Sequence, residues 1–296
     1  MPGIASSAPA VLLAHLASVS NEIRLGSGGV MLPNHAPLVV AEQFGMLEAL
    51  HPGRIDLGIG RAPGTDQLTA AALRRSLGGP REPDLPSLLG ELLGFFNGSF
   101  PADHPYRHIT AVPARGYQPA LWLLGSSDYS ARVAGLLGLP FSFAHHFSAA
   151  NTLPALDVYR SSFRPSAVLD EPYVMLGVAV LCADSYERAD YLSKPAELSY
   201  LRLRAGRPGR FPTPEEAAAF NPTPGEREAI KAWSASRVLG DPGFVAEQLA
   251  ALVERTGADE LMVTTMAHDH ADRLRSYQLV AAMAGRQVEA PASTVD

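Results

Sequence analysis

Four short segments hold the residues whose types and spacing can do chemistry. In Gly26-Ser27-Gly28-Gly29, the missing side chains let a planar ligand lie against the backbone and permit unusual backbone angles. The same residues also suit a bulge or tight packing against a neighbouring helix. In Gly60-Arg61-Ala62-Pro63-Gly64, an arginine among small residues can offer its guanidinium fork to a phosphate, or can make a surface ion pair. Leu124-Gly125-Ser126-Ser127-Asp128-Tyr129-Ser130 runs straight into ARVAGLLGLP. Such a loop opening a helix supplies free backbone N–H groups and a positive dipole end, which favour a phosphate; an ordinary N-cap by Ser127 or Asp128 needs the same residues. The fourth segment is Ala144-His145-His146-Phe147. Adjacent residues of a strand point opposite ways, so at most one of these histidines faces the interior. It would serve a substrate pocket or proton transfer, or be a hydrogen-bonded structural residue. His35, after Pro33-Asn34, can border the same ligand face.

Two other features read as structural. His268, Asp269 and His270 lack metalloprotease-like spacing, and Asp269 as a helix N-cap accounts for the cluster, so no metal is expected. The single cysteine, Cys182, lies in the apolar run VMLGVAVLCAD and reads as a buried thiol. A lone cysteine allows no internal disulfide and no cysteine-based zinc site.

Each of the four segments ends a stretch that reads as a strand. Strands are expected at 22–31, 54–61, 120–126, 140–147, 173–182 and 259–265, mostly continuous apolar runs, as in a parallel sheet buried on both faces. Helices are expected at 8–20, 37–50, 128–137, 150–162, 242–256 and 270–284, with others near 66–76 and 84–96. Ser6 and Ser7 before Pro9 suggest a helix start with a capping hydroxyl. The alternation argues for an α/β fold of right-handed βα units, a barrel or a doubly wound sheet, in which ligands bind at the C-terminal ends of the strands. Six strands are two short of a (β/α)8 barrel, and because the chain opens on a helix the deficit is expected at the N-terminus. The connections 78–119 and 184–236 are long, and the second is dense in proline and glycine, as in a lid. No composition break marks a second domain, so residues 1–296 read as one domain with a lid-like insertion at about 184–236.

The chain has 296 residues, 47% of them hydrophobic and 18% charged, enough to bury a large core. A net charge of −6 argues against nucleic acid as a partner. No apolar stretch is long enough to span a bilayer, and the N-terminus lacks the basic region of a signal peptide. A cytoplasmic protein is expected.

The run EIRLGSGGVMLPNHAPLVVAEQFGMLEALHPGRIDLGIGRAPG at 22–64 resembles the third and fourth βα units of the bacterial luciferase-like flavin monooxygenases. The similarity extends from about residue 4 to 285, is strongest at 22–64, 120–147 and 258–284, and is greatest to the MsnO-type branch. It implies a TIM barrel that uses reduced FMN and oxygen to insert one oxygen atom into a small organic substrate. The FMN would be supplied by a transient flavin reductase partner, and a homodimer is expected. Carried over residue by residue, it implies a bulge with a non-proline cis peptide at Gly28–Gly29 against the flavin ring. Arg61 would lie near the flavin phosphate, and Gly125, Ser126, Ser127 and Tyr129 would contact that phosphate. Family members begin with a strand, a helix and a second strand ending in Glu-His-His; Met1-Pro2-Gly3-Ile4 falls just after that motif. The resemblance thus implies an N-terminally truncated barrel and leaves the catalytic residue unknown. Two alternatives share the fold: an oxidoreductase using deazaflavin F420, and a non-catalytic flavin-binding protein.

Overall fold

The computed structural model describes residues 6–62, 64–65, 67–74 and 84–285. The elements run α1 (Pro9–Ser18), β1 (Leu25–Met31), α2 (Pro37–Leu50), β2 (Ile55–Gly60), α3 (Gln67–Arg74), α4 (Leu85–Asn97), β3 (Ala120–Gly125), α5 (Asp128–Leu137), β4 (Phe141–Phe143), α6 (His145–Ser148), α7 (Thr152–Ser162), β5 (Val174–Cys182), α8 (Tyr186–Arg204), α9 (Pro214–Ala219), α10 (Pro224–Ser234), β6 (Val238–Gly240), α11 (Pro242–Thr256), β7 (Glu260–Thr264) and α12 (His270–Met283). They form two compact units. The first takes in the described residues up to Phe143 together with Leu153–Tyr173; the second takes in Ala144–Thr152 and the residues from Val174 onward.

In the first unit β1, β2, β3 and β4 pair in chain order, all parallel. Parallel strands covered on both faces must be apolar along their length, and β2 is: Ile55, Leu57 and Ile59 are almost wholly buried. The β1–β2 register shifts between Gly28 and Val30, which is the expected bulge, and the Gly28–Gly29 peptide is cis. At the opposite, N-terminal end of the strands, the carboxylate of Asp56 accepts from Arg24 Nε at 3.1 Å and Trp122 Nε1 at 3.0 Å, tying β2 to the lead-in of β1 and to β3. Helix α1 starts at Pro9 as expected, but its N-cap is Ala8 and no side chain caps it, so the serine hydroxyl is not used there. Helix α4 is capped by Asp84, which accepts from the Ser87 N–H at 2.9 Å, and closes on Gly98 at φ 66°.

The second unit is built on β5. Met175–Ala179 of that strand pair with β7 and Val180–Cys182 pair with β6, both parallel. Cys182 is buried as expected, and burial pushes its thiol up to about 11. Asp269 caps α12, accepting from the N–H groups of Ala271 and Asp272 at 2.7 and 3.3 Å, the structural role read from the sequence.

All six expected strands are present, and three further expectations change. Strand β6 was missed because it has only three residues, too few for periodicity to register. The segment 184–236 is not an open loop: α8, α9 and α10 occupy most of it. Its prolines and glycines read as breakers, yet Thr213-Pro214 and Thr223-Pro224 are helix starts. Each threonine accepts from the N–H three residues on, at 3.2 Å for Glu216 and 3.3 Å for Glu226. Those glutamates accept the threonine N–H groups in return, at 2.9 and 2.8 Å, completing two capping boxes with proline at N1. Finally, β4 stops at Phe143, and His145 and His146 stand on the one-turn helix α6, so the alternation argument for their directions does not apply.

Candidate cofactor site

The C-terminal ends of β1, β2 and β3 lie side by side in the first unit, and every residue expected to hold the cofactor is on one of them, in the loop that follows, or, for Tyr129, in the first turn of α5. Close packing explains some of these residues, and others are left facing open space.

The bulge of β1 is held from within. Ser27 Oγ donates to the Gly58 carbonyl at 3.1 Å and accepts the Gly58 N–H at 3.0 Å, so it bridges the strands where the register shifts. A Cβ on Gly29 would stand 2.4 Å from Leu124 Cδ1 and 2.7 Å from the Gly58 carbonyl oxygen, so only glycine fits. A Cβ on Gly28 would meet nothing within 4 Å. The packing and ligand readings therefore divide: Gly29 is glycine because its neighbours fill the space, and Gly28 presents bare backbone to open space.

Arg61 follows β2 directly. Its guanidinium carbon lies 4.4 Å from the ring centroid of Tyr129, a cation–π contact, and it makes no ion pair among the described residues. The surface ion pair that the sequence left open is thus not formed there, and the ring supports one face of the guanidinium while its N–H groups stay available.

Ser127 is the N-cap residue of α5 by backbone conformation, at φ −147° and ψ 170°, but its side chain makes no capping hydrogen bond. The first-turn N–H groups of this ten-residue helix therefore donate no hydrogen bond to the N-cap side chain, the arrangement that favours an anion. Ser126 is exposed beside them. Gly125 has a packing reason: a Cβ there would come 2.5 Å from Ser130 Cβ. Ser130, buried against it, was missed as a determinant, because the sequence presents it as one more hydroxyl of the loop. Asn34 was missed too; it is buried and accepts from Arg74 Nε at 2.9 Å. Its neighbour His35 is lowered below the ordinary histidine pKa by burial.

His145 and His146 belong to the second unit. His145 Nδ1 is 2.8 Å from Thr152 Oγ1, and His146 Nδ1 is 2.8 Å from the Gly177 carbonyl oxygen. Burial lowers both pKa values, with the charges of Arg255 and Arg237 adding to it. Both rings are therefore hydrogen-bonded to fixed oxygens. Among the described residues no three His, Cys, Asp or Glu side chains could hold a metal ion together, and no helix is long and apolar enough to cross a membrane.

A cationic fork, an uncapped helix start and a bare glycine backbone at adjacent strand ends can hold a phosphate and a flat ring.

The family described as luciferase-like monooxygenase matches residues 1–260. The chain is 49% identical to the uncharacterized protein YvbT of Bacillus subtilis over 94% of its own length and 82% of that protein. It is 44% identical, over the same shares, to a luciferase-like monooxygenase of Escherichia coli. The crystal structure of apo-MsnO8 matches with a TM-score of 0.85 and 38% identity, covering 95% of this chain and 84% of that one. Two more distant structures share the fold alone. One is the oxygenating constituent of 3,6-diketocamphane monooxygenase from Pseudomonas putida with FMN, at TM-score 0.63, 20% identity and 92% and 81% coverage. The other is an F420-dependent tetrahydromethanopterin reductase from Methanopyrus kandleri, at TM-score 0.63, 15% identity and 92% and 85% coverage. With its α/β architecture of the luciferase-like TIM-barrel type, the chain belongs to the luciferase-like monooxygenase family.

Proposed function

We propose that this chain binds FMN at the ends of β1–β3 and is the oxygenating component of a monooxygenase that acts on a small organic substrate. The observation that carries the cofactor reading is Arg61: an arginine with no carboxylate partner among the described residues, lying 4.4 Å over Tyr129. It stands next to a helix start whose N-cap side chain leaves the backbone donors free. Reduced flavin, when bound, supplies the electrons for reaction with oxygen. The chain's own residues do the rest of the binding. Arg61 and the first-turn N–H groups of α5 take the phosphate, with Ser126 and Ser127 hydroxyls as added donors. Tyr129 orients Arg61. Gly28 lets the ring approach the backbone, and Gly29 and Gly125 keep the strand ends close enough to form one site. A separate flavin reductase delivers the reduced cofactor, the working form is a homodimer, and the setting is the cytoplasm.

F420 is the second reading, favoured by the fold shared with an F420-dependent reductase. Flavin absorbance of the isolated protein, with oxygen consumption coupled to an NADH-dependent flavin reductase, tests both. Bound FMN with coupled uptake that rises on adding a substrate supports the proposal. Failure to bind FMN while F420 binds overturns it, and bound flavin with no turnover across a substrate panel makes the chain a flavin carrier.

A further inference from the structure

Arg237 stands in the second unit with a charge that no described carboxylate contacts. It lies just ahead of β6 and is partly buried. Its guanidinium carbon is 4.2 Å from the ring centroid of Trp233. Trp233 stacks in turn on Tyr200, with centroids 4.7 Å apart and planes 12° from parallel. The two rings make a platform that holds the guanidinium by one face. Among the described residues its N–H groups make no hydrogen bond and no ion pair. Among the described residues Glu197 is the acid whose charge reaches it, and that carboxylate is already engaged. Its Oε1 accepts from Lys194 Nζ at 3.2 Å and Ser193 Oγ at 3.3 Å.

Two further neighbours, Arg204 and His146, add no negative charge. Arg204 lies 5.8 Å from the Tyr200 ring, at the other end of the aromatic pair. His146 is close enough to feel Arg237. A carbonyl oxygen only accepts, so the Nδ1 that faces Gly177 O carries the hydrogen, and an imidazole brings no negative charge to the guanidinium in either protonation state. Groups of this kind withdrawn from water are normally paired. A planar guanidinium fixed on an aromatic face, with its fork unused, suits the two parallel N–H···O bonds of a carboxylate.

We propose that Arg237, held by the Trp233–Tyr200 platform, is a binding site for the carboxylate of a small organic ligand. The site consists of second-unit residues and does not depend on the flavin reading.

Trp233 is one of two tryptophans, so a Trp122→Phe background makes its emission the reporter. At constant ionic strength, titration with propionate should change that emission saturably, and the neutral isostere propionamide should not. Arg237→Gln should weaken propionate by about 10- to 100-fold, the loss expected for charge-assisted hydrogen bonds. Arg237→Lys, which keeps the charge without the fork, should fall between. The comparison of propionate with propionamide keeps residue 237 intact, so it decides the matter even if a substituted chain fails to fold. An absent or non-saturating response, an equal response to propionamide, unchanged affinity in folded Arg237→Gln, or tighter binding of inorganic phosphate each overturns the assignment. The assay contains no flavin, so its failure and the failure of FMN binding are seen separately.

Discussion

The guanidinium of Arg61 and the ring of Tyr129, 68 positions apart in the chain, meet at 4.4 Å. One leaves β2 and the other opens α5 after β3, so the contact exists because these strands are neighbours in parallel register. It sets a pre-oriented cation beside an uncapped helix start. Arg61→Ala should weaken FMN by roughly 10- to 100-fold and riboflavin by no more than about 2-fold, since only FMN carries the phosphate. Fluorescence titration of the two flavins measures this, and equal weakening of both would remove Arg61 from the phosphate.

Gly28 and Gly29 should respond in opposite ways to one methyl group. At Gly29 it would sit 2.4 Å from Leu124 Cδ1, so Gly29→Ala should cost about 1–3 kcal/mol of stability, as overpacking does. At Gly28 it meets nothing, so Gly28→Ala should leave the urea midpoint close to that of the parent while lowering FMN affinity. Normal flavin affinity in Gly28→Ala would mean that the ring does not lie on this backbone.

Gly125 and Ser130 form a packing pair. Gly125→Ala places a Cβ 2.5 Å from Ser130 Cβ and should lower the melting temperature. Adding Ser130→Gly should restore most of that loss. If Gly125→Ala is stable by itself, the close approach of β3 and α5 is not the reason for this glycine.

Stability should fall in mild acid through His145 and His146. Both have pKa values held below 6.5, first by burial. As pH drops below 6.5 the unfolded chain takes up protons that the folded chain resists, so their contribution is full above that pH and is lost beneath it. Urea midpoints at about pH 7.5 and about pH 5.5 should differ in that direction, and His145→Gln with His146→Gln should shrink the gap. An undiminished gap in the double variant would assign the acid sensitivity to other groups.

Much of this was legible in the residues. Continuous Val, Ile and Leu runs located the buried strands, because a parallel sheet covered on both faces leaves no room for alternation. Asp269 could be recognised as a cap and Cys182 as a core thiol, since both roles follow from immediate neighbours. The helices of 184–236 were also written locally, in Thr-Pro-Glu-Glu and Thr-Pro-Gly-Glu, where the prolines that suggest a lid loop stand at N1. Strand β6 was not legible: three residues become a strand only because Val180–Cys182 offer a free edge.

The sequence by itself determined the α/β alternation, the glycines and arginine at the strand ends, and through them the family. These are properties of single segments, set by spacing and side-chain type. Tertiary structure decided which glycine is filled around and which faces open space, and that, among the described residues, Arg61 rests on Tyr129 and not on a carboxylate and Arg237 stacks on Trp233 with its fork unused. Such outcomes depend on which atoms of distant segments come within a few ångströms, and that follows from strand order and register, not from any local run of residues.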